Sequence, residues 1–277
     1  MAPDPRTSAT LRWHGQSDRG KVRPINEDSF LGLRFDSQEF HYLGKFGDAS
    51  MEHYDFVFAV SDGMGGALAG EFASRIAVEK IARLLPRSYK LSAQGLAAGA
   101  ADVLEEVFDQ IQRALVLLGS SYEECAGMGA TLSLCWLTPG WMHWAHIGDS
   151  RIYYLPAGEN RIVQLTQDDT HVGWLFRNGQ LNEREAHTHP RRSVLQKALG
   201  VGHQFVDPQV GSVGYEGGDR FLLCTDGLIN GLYDAQLLET LRAPEPTASA
   251  NPALRLVQAS LERSGRDNTT AVVVEIT

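Results

Sequence analysis

Five short blocks of this sequence set an aspartate beside glycine, asparagine or glutamate at the edge of an apolar run. They are Val22-Arg23-Pro24-Ile25-Asn26-Glu27-Asp28, Asp62-Gly63-Met64-Gly65-Gly66, Gly148-Asp149-Ser150-Arg151, Asp226-Gly227 and Asp267-Asn268. Taken singly, an Asp-Gly after a strand is turn chemistry. Taken together, the blocks place Asp28, Asp62, Asp149, Asp226 and Asp267 at strand ends, which converge at one rim of a sheet. Carboxylates gathered there repel one another unless cations neutralise them. Hard oxygen donors with room for water suit Mg2+ or Mn2+, and no Cys/His cluster in the sequence competes for a softer metal. Two such ions roughly 3.5–4 Å apart clamp a phosphate and turn a bridging water into a nucleophile. Arg23 precedes Asn26-Glu27-Asp28 closely enough to share their rim. Its planar, permanently charged fork suits two phosphate oxygens. Without the acids it would read as a surface ion-pair arginine.

The elements that must carry these residues follow from pattern. Runs of β-branched and aromatic residues bounded by Gly, Pro, Asp or Asn predict strands over 29–35, 56–61, 131–137, 141–147, 151–154, 161–165, 220–224 and 270–276. Thr138-Pro139-Gly140 supplies hairpin chemistry between Leu137 and Trp141. Apolar residues at three- and four-residue steps predict long helices over 68–85 and 92–118, the second capped by Ser92 and stopped by Gly119. Shorter helices are predicted over 234–241 and 252–264. Antiparallel-type strands around a helical pair point to α+β layering, not alternating βαβ units. Residues 1–9 read as a flexible tail, 10–277 as a single domain, and 243–252 as a surface loop within it. Residues 36–54 are long for a hairpin connection and are expected to cover a sheet edge.

Composition narrows the function classes. With 277 residues, 43% apolar and 21% charged, the chain can bury a large core without staples and is neither disordered nor collagen-like. No apolar run reaches the roughly 18 residues of a membrane span. The opening MAPDPRTSATLR lacks a signal peptide's apolar stretch. Three cysteines without a C-x-x-C pair argue against a disulfide framework and a zinc finger. A net charge of −9 with no Lys/Arg-rich run argues against nucleic-acid binding. A cytoplasmic monomer with no nucleic-acid or membrane partner is expected.

In this order, and with Ala69-Gly70-Glu71-x-Ala73-Ser74 between them, the blocks resemble the metal-dependent protein phosphatases of the type 2C (PPM) family, in its compact bacterial branch, over roughly residues 11–276. The resemblance implies a four-layer α-β-β-α sandwich with two central antiparallel sheets and a metal site at one end. It implies a protein serine/threonine phosphatase using Mn2+ or Mg2+, with two catalytic ions and a weaker third. On that resemblance Asp62 bridges the two ions and Gly63 gives its backbone carbonyl to one. Asp226 and Asp267 hold the other, and Glu27 and Asp28 reach the metals mainly through water. Asp149 joins Asp226 at the third ion, Arg23 binds phosphate, and Asn268 orients the strand end. The implied reaction is in-line attack of a metal-bridging water on phosphoserine or phosphothreonine. Phosphorylated proteins and an opposing Ser/Thr kinase of a bacterial-type signalling system are the implied partners.

The chain departs from the family pattern at two positions. Met64 stands where many eukaryotic relatives have a histidine assigned as general acid, which leaves that role without a side chain. Asp169 stands where a histidine is usual. The family's mobile flap falls at about 170–208, and Arg191 and Arg192 there are expected to contact the phosphoprotein. His143 and His146 read as packed histidines and Cys224 as a buried, inert thiol. Two other functions fit the same residues: a silent phosphoprotein-binding module, and a hydrolase of small phosphate esters.

Overall fold

The computed structural model describes residues 9–65, 69–93, 99–201, 206–243 and 251–277. Two antiparallel sheets face each other. One runs in the order β10 (Val163–Gln164), β9 (Arg151–Leu155), β12 (Arg220–Cys224), β13 (Thr269–Ile276), β1 (Thr10–Asp18), β4 (Phe46–Ser50). The other runs β11 (Gln209–Gly214), β8 (Trp141–Ile147), β7 (Leu132–Thr138), β5 (Asp55–Met64), β2 (Asp28–Phe35), β3 (Phe40–Tyr42). The short β6 (Gly129–Ala130) pairs with the end of β5.

Helices cover both outer faces. The long α1 (Ala69–Ala93) and α2 (Ala100–Ser121) lie on the second sheet. On the first sheet lie α5 (Asp226–Ile229), α6 (Asp234–Arg242) and α7 (Pro252–Arg263). Between β10 and β11 stand α3 (His171–Arg177) and α4 (Glu183–Thr188).

The layering follows from side-chain alternation. In β5, Phe56, Phe58 and Val60 face the other sheet, while Val57 and Ala59 face α1 and α2. In β13, Val272, Val274 and Ile276 join the inter-sheet core, while Ala271 and Val273 join the helical one. A middle-layer strand is buried on both faces, so its sequence is a continuous apolar run that nonetheless sorts by a period of two. The four-layer α-β-β-α architecture implied by the resemblance is the one observed.

Several elements differ from pattern-based expectation. The second long helix starts at Ala100, not Ser92; the chain through Ala93 still belongs to α1. Gly99, which makes no side-chain cap bond, stands at its start. The strand expected over 161–165 shrinks to Val163–Gln164. Residues 36–54 supply β3 and β4, one at the edge of each sheet, as edge cover. Strands β1 and β11 were not signalled, because Gly15, Gly211 and Gly214 interrupt their alternation. Residues 1–8 of the tail expected over 1–9 and most of the 243–252 loop lie outside the described residues, as do Gly66 and Leu68.

Candidate metal and phosphate site

The register of β2 on β5 sets Asp28 directly opposite Asp62. Like charges so placed destabilise a ladder, and the surrounding side chains show how they are held. Asp28 is buried, and its Oδ2 accepts from the Thr225 hydroxyl at 2.8 Å and the Thr270 hydroxyl at 2.7 Å. Its Oδ1 is buried without a partner. Burial, then the fields of Asp226 and Asp267, outweigh the threonines and push the carboxyl up to about 7. The Asp62 carboxyl is pushed well above its ordinary value by burial and by Asp28, Asp226, Asp149 and Asp267. Thr131 fixes the Asp62 backbone: its hydroxyl accepts from Asp62 N–H at 3.0 Å, and its N–H donates to Asp62 C=O at 2.9 Å.

Asp226 opens α5. Its Oδ2 accepts from Ser193 at 3.1 Å and Asn230 at 3.3 Å, and its Oδ1 is buried without a partner. Burial and Asp267 push it up to about 6. Asp149 follows Gly148, whose φ of 109° makes the turn that places it. Burial and Asp226 push the Asp149 carboxyl well up. Glu27 has a buried, unpartnered Oε1, and burial raises its carboxyl too. Arg23 grips Asp267 at two points, Nε to Oδ1 at 2.8 Å and Nη2 to Oδ2 at 2.9 Å. Asn268 ties the site's rear: its Oδ1 accepts from Glu27 N–H at 2.8 Å, and its Nδ2 donates to Arg19 C=O and Ile25 C=O, each at 2.9 Å.

Two glycines permit this closeness. A Cβ on Gly63 would stand 2.0 Å from the Gly70 carbonyl oxygen, and one on Gly227 would stand 1.9 Å from that of Asn268. Backbone meets backbone there, so no side-chain adjustment makes room. Gly63 thereby joins β5 to the start of α1, and Gly227 presses the Asp226 turn onto the Asp267 turn.

The structure thus brings Asp28, Asp149, Asp226 and Asp267 within the field that Asp62 feels, with Glu27 beside Asp267 and Gly63, Arg23 and Asn268 next to them. Among the described residues no three His, Cys, Asp or Glu side chains form a finished metal cage. The donor set is nonetheless all oxygen and anionic, and three of its oxygens are buried without a partner. That chemistry fits a hard divalent cation, Mn2+ or Mg2+.

The two flap arginines part company. Arg192 Nε donates to Asn230 Oδ1 at 2.9 Å, tying the 170–208 segment to α5, whereas Arg191 is exposed. His187 adds a second tie, with its Nε2 2.7 Å from the Ile229 carbonyl oxygen. Sequence reasoning missed the hydroxyls that orient the acids, although Thr225 directly precedes Asp226 and Thr270 closely follows Asn268. It also missed the clamp on the Gly148 turn. Asp169 accepts the Gly148 N–H at 3.0 Å and returns its own N–H to Gly148 C=O at 2.7 Å. His146 is buried between Ser133 and the same carbonyl. The Cys224 thiol is buried and pushed up to about 12, and burial pushes Cys135 up further.

This sandwich, with its oxygen-only cluster at one end, has counterparts among known proteins. The chain belongs to the protein phosphatase 2C family, whose model matches residues 46–265. It is 34% identical over 275 residues to the serine/threonine protein phosphatase PstP of Mycobacterium tuberculosis, covering 98% of this chain and 46% of that protein. The chain therefore spans about half the length of that relative. It is 33% identical over 263 residues to the serine/threonine phosphatase stp of Listeria innocua, covering 94% of each. The crystal structure of the PstP catalytic domain in complex with two manganese ions matches with a TM-score of 0.75 at 32% identity, over 98% of this chain and 100% of that one. Among the described residues no helix is long and apolar enough to cross a membrane.

Proposed function

We propose that this chain is a metal-dependent protein serine/threonine phosphatase, hydrolysing phosphoserine and phosphothreonine on proteins. The observation that carries the reading is the cluster of buried acids with unpartnered oxygens beside Arg23. Asp62, the Gly63 carbonyl, Asp226 and Asp267 would hold two divalent cations, with Glu27 and Asp28 acting mainly through water. Asp149 with Asp226 would hold a third. When bound, such cations supply an activated water and neutralise charge on the phosphoryl oxygens.

The chain's own residues do the rest. Thr225 and Thr270 hold Asp28 in one orientation, and Ser193 and Asn230 hold Asp226. Such preorganisation removes a reorganisation cost at the moment of reaction. Arg23 keeps a permanent charge at the rim, and its fork can donate to two phosphoryl oxygens in the transition state. Neither buried thiol is in play, since the raised pKa values of Cys135 and Cys224 keep them protonated. Met64 offers no proton, so the leaving alkoxide takes its proton from solvent in the site.

The names of the mycobacterial and Listeria relatives support the choice of phosphoproteins over small esters. The reading carries with it a Ser/Thr kinase as counterpart and a cytoplasmic, monomeric protein. Asp62→Asn tests it: turnover of a phosphothreonine peptide should fall by at least about a hundredfold while the peptide still binds. Turnover that survives the change overturns the assignment of Asp62.

A further inference from the structure

A cleft of about 260 Å³ lies between α5, β9 and the 170–208 segment. It is continuous with the carboxylate cluster, because Asp149 and Asp226 line it. Much of the wall is apolar: Val172, Phe176, Ile229 and Leu232, with Tyr233 stacked on His187 at 4.3 Å between centroids.

Two further carboxylates, Asp234 and Glu183, line the same cleft. Asp234 is held by a relay. Asp168 grips Arg151 at two points, Nε to Oδ1 at 2.8 Å and Nη2 to Oδ2 at 2.7 Å. Arg151 Nη1 donates to the buried Tyr153 hydroxyl at 2.8 Å, which donates in turn to Asp234 Oδ1 at 2.9 Å. The Arg151 charge is thus matched by Asp168 and leaves Asp234 uncompensated. Arg192, the other arginine on the wall, is tied through Nε to Asn230. Five acids line the cleft against two arginines. Setting aside Asp149 and Asp226 as cation ligands, and Asp168 with Arg151 as a neutral pair, Asp234 and Glu183 still outnumber Arg192.

An apolar-walled cleft with a surplus of carboxylate suits an aliphatic stem that ends in a cation. We propose that this cleft is a subsite for a lysine or arginine side chain flanking the phosphorylated residue of the protein substrate. The inference rests on the phosphatase reading and names its substrate class: phosphosites in basic surroundings. An acidic flanking residue would instead meet the like charges of Asp234, half-buried, and Glu183, exposed at the rim. The net charge of −9 favours the same substrates at long range.

The test uses three phosphothreonine peptides that differ in carrying Arg, Ala or Glu on both sides of the phosphothreonine. With saturating Mn2+, kcat/KM of the wild-type protein should fall in the order Arg, Ala, Glu, with about tenfold between the ends. Glu183→Gln and Asp234→Asn should each narrow that span to about threefold. Glu183 is exposed, so its variant remains informative even where Asp234→Asn disturbs Tyr153. Equal or reversed rates in the wild type, or a span that both variants leave intact, overturn the subsite and leave the phosphatase reading standing. Hydrolysis of none of the three peptides overturns that reading, and the subsite with it.

Discussion

Replacing Asp28 by Asn should stabilise the cation-free protein and weaken its response to cations, and the size of both effects follows from the structure. Asp28 is buried opposite Asp62 with one oxygen held by two threonines and the other unpartnered. Its carboxyl is raised from 3.8 to about 7, chiefly by burial. A raised value means that the folded state keeps the proton where the unfolded chain has lost it. The group's contribution is therefore complete below about pH 4 and is lost as pH rises through 7. Three pH units at 1.36 kcal/mol each amount to about 4 kcal/mol by pH 8. Asn removes that cost and keeps an acceptor for Thr225 and Thr270. In excess chelator the two proteins should melt together near pH 4 and diverge above it, with Asp28→Asn melting about 7 °C higher at pH 8. Saturating Mn2+ should reverse the order, since the cation stabilises the form with the stronger site. Thermal unfolding by circular dichroism from pH 4 to 8, with and without Mn2+, measures this. A chelated variant that melts at or below the wild type at pH 8 refutes the reasoning.

Asp55, at the opposite end of β5 from Asp62, is raised to about 6 by burial despite accepting from Trp136 Nε1 at 3.0 Å. The same sign applies, so Asp55→Asn should melt about 5 °C above wild type at pH 8 and equal to it at pH 4. Here Mn2+ should make no difference, and a Mn2+-dependent gap would contradict the assignment. Gly63→Ala drives a Cβ to 2.0 Å from a backbone carbonyl, whereas Gly70→Ala meets first the carboxylate end of Glu27 at 2.2 Å. Calorimetric Mn2+ titration should show an affinity loss of about tenfold or more for the first and a smaller loss for the second. Arg23→Lys exchanges a fork for a point charge and should raise the phosphopeptide KM about tenfold with the protein still folded; an unchanged KM would remove Arg23 from phosphate binding.

The acids were legible in the sequence because strand ends are. Asp62 and Asp226 each close an apolar run too continuous for anything but a doubly buried strand, and β5 and β12 are such strands, whereas Asp28 opens the more mixed β2. Elements whose pattern is diluted were not legible. Strand β1 mixes Leu11 and Trp13 with Gly15, β11 is half glycine and serine, and α5 is too short to show a helical period. The start of α2 was misplaced because Ser92 has cap chemistry, whereas the α1 backbone runs on through it to Ala93. Side-chain direction was the larger omission. Arg191 and Arg192 are identical in sequence terms, but the turn they occupy sends Arg192 to Asn230 and leaves Arg191 in solvent. Asp169 read as a departure from a family pattern, and in the fold it clamps the turn that presents Asp149.

On this reading the acid cluster works as a cation-loaded phosphatase centre. Phosphate release from a phosphothreonine peptide, measured with Mn2+, after excess chelator and after Mn2+ is restored, tests it directly. Release is expected with Mn2+, with its loss on chelation and its return when the cation is restored. Release that continues at full rate in chelator, or none from folded, Mn2+-saturated protein, would contradict it.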